Sequence, residues 1–359
     1  MTNPYSALDE QAFWSPAVAK RHVLDIAGLW KASYPIRPDA KIATFGSCFA
    51  QHFSKALVAR SYSWLDAEPA PEGMRPDLAS RFGYGVFSAR TGNIYTTSLL
   101  LQWTKWALGH SNAPEIAWEK DGRFYDPFRP AIEPDGFASR DEMLASRRAT
   151  IAAFRAAILN SNVFVFTLGL TESWWDKAGG FEYPMCPGTV AGTFDAAQHE
   201  FLNQDYVFVR RNLMEAISLI RKARAKGPRF LLTVSPVPLT ATNSGNHVLV
   251  ATMDSKSILR AVAGNVAQSV TGISYFPSYE IINAPVFRGM FFEPNQRSVN
   301  KSGVNHVMSC FFAGLGVTET EKPGTAARAG KSRPRKARAA SPDDVVCEEE
   351  LLSAFGDKQ

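Results

Sequence analysis

Short, continuous apolar runs alternate along the chain with segments of helical periodicity. The apolar runs predict four buried strands, at residues 41–46, 163–168, 229–235 and 273–276. The periodic segments predict helices at residues 49–57, 98–108, 139–160, within 204–225, within 254–270 and near 303–315. Strands that are apolar throughout are typical of a parallel sheet with helices on both faces. The pattern therefore predicts an α/β fold, a three-layer sandwich around a parallel sheet.

The residues that follow the predicted strands are the candidates for chemistry, because ligands of parallel α/β sheets bind beyond the carboxyl ends of the strands. These residues are Gly46-Ser47-Cys48, Gly169-Leu170-Thr171-Glu172, Ser235-Pro236-Val237 and Pro277-Ser278. We expect the functional site to be built from them.

Cys48 lies where the first predicted strand is followed by a helix. At such a position the backbone N–H groups and the positive end of the helix dipole favour a thiolate. Two alternatives stay open from position alone. Cys48 is a small buried apolar side chain, or the neighbouring Ser47 is the nucleophile or a helix cap.

A thiol or hydroxyl nucleophile needs a base within hydrogen-bond reach, usually a histidine. His306 opens the last predicted helix, and His247 follows the third strand through a long polar loop, so either is a candidate base. His52 lies one turn beyond Cys48 and is interpreted as structural, because a helical side chain there points along the helix rather than at the turn.

Donors for a developing oxyanion are also present in the sequence. Asn93 carries a side-chain amide, and Gly92 before it permits close approach of the backbone; the alternative is a plain turn. Thr171 and Glu172 follow the second strand and supply a hydroxyl donor and a carboxylate that orients a base. The alternative for Thr171 is a cap on a following helix.

Composition places the chain among globular proteins and narrows its function. Of 359 residues, 45% are hydrophobic and 20% are charged, both ordinary for a folded protein. The formal net charge is +5, and residues 318–359 contribute nothing to it because they hold eight Lys/Arg and eight Asp/Glu. This excess is too small to predict nucleic-acid binding.

Several site classes are not expected. The four cysteines form no CxxC pair, and no histidine pair has HxH or HExxH spacing, so we expect neither a disulfide framework nor a metal site. Phosphate-binding loops of the GxxxxGK[ST] or GxGxxG type are absent, and we expect no cofactor. Since neither an export signal nor a membrane span is visible, a cytoplasmic location is predicted.

The composition changes at residue 318. Residues 1–317 are predicted to form the domain, and residues 318–359 a disordered tail that is first basic and then acidic. Its last part, residues 343–355, combines acidic and apolar residues. We expect it to be either unstructured or a short amphipathic helix that docks on an unknown partner or on its own domain.

The residues Gly46-Ser47-Cys48-Phe49-Ala50 spell the motif after which the GSCFA-domain family is named. The resemblance extends over residues 3–317, through the segments SARTGNIYT, DPFRP, VFTLGLTESW, LTVSPVPL, YFPSYE and GVNHVM. That family resembles a branch of the SGNH hydrolases, which implies a flavodoxin-like three-layer fold and hydrolysis or transfer of acyl esters, often on carbohydrates.

Several residue roles follow from this resemblance. Cys48 takes the nucleophile position and Ser47 the place of the usual Asp, while Thr171 stands where the oxyanion Asn usually lies and Asn93 is a possible substitute. The usual Asp-x-x-His block is missing; the nearest stretch reads Asn295-Gln296-Arg297-Ser298. The resemblance implies an acyl-ester hydrolase (esterase) or O-acyltransferase in polysaccharide modification, acting on an acylated small molecule or glycan. The alternative is a catalytically silent module that binds a glycan or acyl group.

Overall fold

The computed structural model describes residues 3–317 and 348–356. The strands are β1 (Ile42–Gly46), β2 (Trp118–Lys120), β3 (Arg123–Tyr125), β4 (Val163–Leu168), β5 (Glu172–Asp176), β6 (Phe181–Tyr183), β7 (His199–Asn203), β8 (Arg229–Val234) and β9 (Ile273–Phe276). The α-helices are α1 (Ala50–Ala59), α2 (Pro76–Arg81), α3 (Thr97–Leu108), α4 (Arg140–Asn160), α5 (Tyr206–Lys222), α6 (Val248–Ser269), α7 (Ser278–Asn283) and α8 (Lys301–Gly314). A 3₁₀ helix spans Glu348–Phe355.

The central sheet is parallel throughout, with strand order β1-β4-β8-β9. Ile42 at the start of β1 lies opposite Val163, and Trp64 forms a parallel bridge with Ile42 on the free edge of β1. When residue 64 is counted as the second strand, the order is that of flavodoxin-like folds, 2-1-3-4-5. The predicted parallel α/β sheet is confirmed.

Helices cover both faces of this sheet. Along β4, Phe164 and Phe166 point into a core formed with α3, α4, α5 and α6. The alternating Val163 and Val165 point into a second core formed with α1, α7, α8 and the N-terminal residues around Tyr34. Because each strand is buried on both faces, it reads as a continuous apolar run, and the three-layer prediction holds for this physical reason.

Two further sheets accompany the central one. β2 and β3 form an antiparallel hairpin, and β6, β5 and β7 form a three-stranded antiparallel sheet directly after β4. The sequence analysis did not predict these strands. They are short and carry charged or polar residues between aromatic ones, so they lack the apolar continuity of the central strands.

The predicted helices are present with small shifts of their ends. Ser139 caps α4 by accepting a hydrogen bond from the backbone N–H of Glu142, as the capping-box spacing predicts. α6 begins at Val248, six residues before the predicted segment, with His247 as its N-cap. The shift makes His247 part of a helix terminus instead of a loop.

The predicted tail requires one correction. Residues 318–347 lie outside the described residues, but residues 348–356 are folded and Glu348 is buried against the domain. For these last residues the expectation of disorder is wrong, and the alternative of a short helix docked on its own domain agrees with the structure. The acidic side chains, and not the apolar ones, make the contacts.

A buried ionic cluster joins the segment after β3 to α4. Asp126 is fully buried and accepts hydrogen bonds from the Nε of Arg129 at 2.8 Å, the Nε of Arg147 at 3.0 Å and the backbone N–H of Phe128 at 2.9 Å. Burial raises the pKa of Asp126, but the charges of Arg147 and Arg129 outweigh it, so the net pKa is below its usual value. The carboxylate stays ionised inside the protein.

Candidate active site

The turn after β1 is shaped by a glycine. Gly46 has φ +128°, and a Cβ atom there would lie 2.3 Å from the carbonyl oxygen of Thr167 on β4. Only glycine fits so close to the neighbouring strand in this conformation. The backbone N–H of Ser47 donates to the same Thr167 oxygen at 3.0 Å. The turn is thereby fixed at the carboxyl ends of β1 and β4. This is the switch point of the strand order, where flavodoxin-like folds bind ligands.

Ser47 and Cys48 are both buried in this turn. The Ser47 Oγ has no hydrogen-bond partner among the described residues. Cys48 precedes the first turn of α1, and its carbonyl oxygen accepts from the backbone N–H of Gln51 at 3.1 Å. The sulfur of Cys48 therefore belongs to a residue at the amino end of a helix, as the sequence predicted.

The loop of residues 88–96 closes one side of the turn. The backbone N–H of Ile94 donates to the carbonyl oxygen of Gly46 at 2.9 Å, and the Gly169 N–H donates to the Tyr95 oxygen at 2.9 Å. Gly92 in this loop has a left-handed conformation, φ +67°. The structure therefore brings together three of the predicted segments: the turn after β1, the Gly92–Asn93 loop and the end of β4.

The Thr171 side chain is already engaged. Its hydroxyl donates to the Asn203 Oδ1 at 2.6 Å, and its backbone N–H donates to the Ser255 Oγ at 3.0 Å. β5 and not a helix follows, so the alternative of a helix cap is wrong. The oxyanion role of Thr171 stays a prediction, and it requires the hydroxyl to leave Asn203.

Glu172 lies at the start of β5 and receives the loop that follows β8. Its carboxylate accepts from the Thr242 hydroxyl and from the backbone N–H of Asn243, the latter at 3.1 Å. Burial raises the pKa of Glu172. The polar loop between β8 and α6 thus reaches the end of β4, although His247 at its far end does not share in these contacts.

Both candidate bases contact groups other than the Ser47–Cys48 turn. The His306 ring stacks on Phe291 with centroids 5.0 Å apart, and its Nε2 lies 4.0 Å from the Cys310 Sγ. His247 is exposed, and its Nδ1 accepts from the backbone N–H of Leu249 at 3.2 Å. Burial lowers the pKa of His306, which disfavours the charged form of its ring.

A carboxyl group occupies the predicted oxyanion-binding loop. The Glu348 Oε2 accepts a hydrogen bond from the backbone N–H of Asn93 at 3.4 Å, and the Asn93 side chain donates as well. A Cβ atom on residue 92 would lie 3.0 Å from the Glu348 Oε1, so Gly92 permits this approach. Burial raises the pKa of Glu348 to about 7.

The next residue, Glu349, is held by different elements. Its Oε1 accepts from the backbone N–H of Thr240 at 2.7 Å, and its Oε2 lies 3.2 Å from the Nη2 of Arg297. Its backbone N–H donates to the Tyr95 hydroxyl at 3.3 Å. Burial raises the pKa of Glu349, opposed first by the charge of Arg297.

Sequence reasoning missed five of these residues as site residues: Tyr95, Lys256, Arg297, Glu348 and Glu349. Lys256 is buried on α6 and donates from its Nζ to the carbonyl oxygen of Gly169 at 2.5 Å. Arg297 lies in the stretch aligned with the missing Asp-x-x-His block, which was the available signal for it. The cluster of three glutamates at residues 348–350 was the available signal for Glu348 and Glu349.

A cleft of about 360 Å³, including its open mouth, adjoins this contact. Its lining includes Gln51 from α1, Arg81 from α2, and Asn93 and Glu348. Within residues 3–317 and 348–356, no group of three or more His, Cys, Asp or Glu side chains has the arrangement of a metal site. In the same residues, no helix is both long and apolar enough to cross a membrane.

The fold and the geometry define a class of protein: a parallel three-layer α/β protein with a Ser-Cys turn at the β1/β4 switch point. The GSCFA family model matches residues 41–311, from the residue before β1 into α8. The chain belongs to the GSCFA family. No curated protein matches it.

Proposed function

We propose that this protein is an acyl-ester hydrolase or O-acyltransferase that acts on a carbohydrate-type substrate through an acyl-enzyme. The observation that carries the proposal is the carboxyl group of Glu348 on the Asn93 N–H, beside the turn that holds Cys48. A site that binds a carboxyl oxygen there offers hydrogen-bond donors to a developing oxyanion. The fold supports the same reading, since the turn lies at the ligand-binding edge of the sheet.

In the proposed reaction the base takes the proton of the Cys48 thiol, and the thiolate attacks the acyl carbonyl carbon of the ester. A C–S bond forms, the carbonyl electrons move to oxygen, and donors at Gly92 and Asn93 bind that oxygen. The C–O bond to the alcohol then breaks, and the alcohol leaves with a proton from the base. Water or a sugar hydroxyl attacks the resulting thioester, gives its proton to the base, and releases Cys48.

The proton acceptor in this proposal is His306 or His247. Burial lowers the pKa of His306, and its ring lies against Phe291. We place the protein in the cytoplasm, because a thiolate nucleophile persists in a reducing compartment.

The test is the pH dependence of Cys48 alkylation by iodoacetamide in the full chain, located by intact-protein and peptide mass spectrometry. We expect reaction well below the usual thiol pKa of about 8.5. His306→Ala or His247→Ala should remove it if that residue is the base. A matched sample treated with p-nitrophenyl acetate should gain the mass of one acetyl group on Cys48, and Cys48→Ala should not gain it.

Because Glu348 and Glu349 occupy the site, the same assay is run in a Glu348→Ala/Glu349→Ala variant. A Cys48 that stays inert up to alkaline pH in both proteins, with no acetyl adduct, contradicts the proposal. Acetylation of Ser47 in place of Cys48 would identify Ser47 as the nucleophile, and acyl transfer would still be the proposed reaction.

A second function is favoured by a specific observation: His306 contacts Cys310, and His247 accepts a hydrogen bond from the Leu249 backbone N–H. Under this alternative the domain is a catalytically silent module that keeps the pocket to bind a glycan or acyl group. Ligand binding without an acetyl adduct on Cys48 or Ser47 would support it.

A further inference from the structure

The segment Glu348–Phe355, called here the C-terminal segment, contacts the domain through its acids. Glu348 is 5% exposed, whereas Leu351 and Phe355 are 44% and 54% exposed. An amphipathic helix that docks by the hydrophobic effect would bury the opposite set. The contact is therefore one of carboxyl groups with hydrogen-bond donors and charge.

The domain receives these two carboxyl groups at adjacent positions. The first position is the Asn93 backbone N–H and amide, with Gly92 leaving room for the oxygens. The second is the Thr240 backbone N–H together with the Arg297 guanidinium. Donors from three separate loops thus converge on one pair of side chains.

The second position is built to hold an anion. Arg297 is itself largely buried, and its Nε is fixed by a hydrogen bond to the carbonyl oxygen of Pro238 at 3.1 Å. A guanidinium held in this way presents its remaining N–H groups in a set direction, which suits a carboxylate. The positive charge of Lys256 also lowers the pKa of Glu349, whereas the negative charge of Glu172 raises it.

We propose that these two adjacent positions form a binding site for paired carboxyl groups, and that the C-terminal segment is its intramolecular occupant, which an acidic ligand must displace. The ligand class is an acidic peptide or small molecule with two carboxyl groups spaced as in adjacent glutamates. This inference shares its site with the proposed function, because Glu348 lies on the donors assigned to the oxyanion. It does not rest on acyl transfer, since binding alone defines it.

Occupancy by the chain's own segment is tested in the full-length protein by amide hydrogen exchange. The N–H groups of Asn93 and Thr240 donate to the two acids, so Glu348→Ala/Glu349→Ala should raise exchange in peptides that cover residues 88–96 and 238–244. The matched control is Glu350→Ala, because Glu350 contacts only the outer edge of Arg297 and is exposed. Exchange that stays unchanged in the double variant overturns the occupancy.

The ligand class is tested with a labelled peptide of residues 348–356, EEELLSAFG, added to the full-length double variant. Fluorescence anisotropy should show binding about tenfold or more tighter than for AAELLSAFG, since the acids supply the hydrogen bonds with Asn93, Thr240 and Arg297. N-acetyl-Glu-Glu should displace the bound peptide, and N-acetyl-Gln-Gln should not.

Each remaining result decides the proposal. Arg297→Gln in the double variant should reduce the difference between the two peptides, with its far-UV circular dichroism unchanged. Equal binding of EEELLSAFG and AAELLSAFG, or no displacement by N-acetyl-Glu-Glu, overturns the proposal. Failure of acyl transfer is seen separately, as an unreactive Cys48 in a protein that still binds the acidic peptide.

Discussion

Two buried acids in this protein contact arginine, but they differ in how far the surrounding charges and hydrogen bonds offset the cost of burying the carboxylate. Asp126 lies between two arginines and a backbone N–H, and its pKa is held below the usual value. Glu349 has one arginine and one backbone N–H, and burial raises its pKa. The first acid is fully compensated and fixes α4 to the domain. The second is under-compensated, which is what a replaceable ligand position requires.

The chain positions of the two contacts support this difference. Asp126 and Arg129 are three residues apart, and Arg147 is on a helix packed in the core. Glu349 is separated from Arg297 by about 50 residues and lies on a short 3₁₀ helix whose other side chains are mostly exposed. A buried contact between elements of the core serves the fold, whereas one made by the C-terminal segment can be exchanged.

Removal of Asp126 is expected to have the largest effect. Asp126→Ala leaves Arg129 and Arg147 buried without their counter-charge, which should lower the free energy of unfolding by about 3–5 kcal/mol. Urea denaturation followed by circular dichroism measures it. Asp135→Ala is the matched control, because the Arg81–Asp135 pair is exposed and its loss should leave stability unchanged within error. Equal effects of both substitutions would contradict the role of Asp126 in fixing α4 to the domain.

The two contacts should respond to pH in opposite directions. The pKa of Asp126 is lowered in the folded protein, so its stabilisation is present above its usual pKa of 3.8 and is lost as the pH falls below it. The pKa of Glu348 is raised from 4.5 to about 7, so docking of the C-terminal segment is strongest below 4.5 and weakens as the pH rises through 7.

Hydrogen-exchange protection factors for the peptides containing Asn93 and Thr240, corrected for intrinsic exchange, measure the docking of the C-terminal segment. The pH range is about 5 to 8, which brackets the raised pKa of Glu348 of about 7. The titratable and charged groups near the two acids are Arg81 in the cleft and Arg297, Lys256 and Glu172 around Glu349. The raised pKa of Glu349 acts in the same direction as that of Glu348. Protection that increases with pH would contradict the prediction.

The fold was predictable because its strands are buried on both faces. β4 and β9 were predicted with both ends correct, and β1 and β8 to within one residue, since Val163, Leu231 and similar residues leave no charged residue inside the strands. The sheet of β6, β5 and β7 was missed because one face of it is less buried and Glu172 and Glu200 interrupt the pattern. Periodicity detects burial, not pairing.

The site was predictable only in part for a related reason. The Gly46–Cys48 turn and the Gly92–Asn93 loop carry local signals, a glycine at a strand end and a small residue before an amide donor. The Asn93–Glu348 contact joins residues 255 apart and is made by hydrogen bonds, so spacing along the chain contains no trace of it. The role of Arg297 could not be predicted, because it depends on where the folded loop places this one side chain.

Gly92→Ala should have an intermediate effect and separates the loop from its occupant. A Cβ atom in the left-handed conformation costs about 1–2 kcal/mol, and here it also lies 3.0 Å from the Glu348 Oε1. We expect reduced stability in urea and raised exchange in peptides covering residues 238–244, because the C-terminal segment is displaced as a unit. Gly122→Ala is the matched control, since it has φ +70° and nothing within 4 Å of the added Cβ.

Equal exchange at residues 238–244 in the Gly92→Ala and Gly122→Ala variants would show that the acids of the C-terminal segment bind independently of each other. The paired-carboxylate site would then reduce to two separate contacts. A stability loss in both variants with exchange raised only for Gly92→Ala is the expected outcome.

Ser47→Ala should have the smallest effect on stability, and its size tests the nucleophile assignment. The Ser47 Oγ is buried and has no hydrogen-bond partner among residues 3–317 and 348–356. Removing an unsatisfied hydroxyl removes a desolvation cost, so the free energy of unfolding should change by less than about 1 kcal/mol or rise. If Cys48 is the nucleophile, its rate of alkylation should also be unchanged. A Ser47→Ala variant of full stability that can no longer be acetylated would instead identify Ser47 as the residue whose unsatisfied oxygen is reserved for substrate.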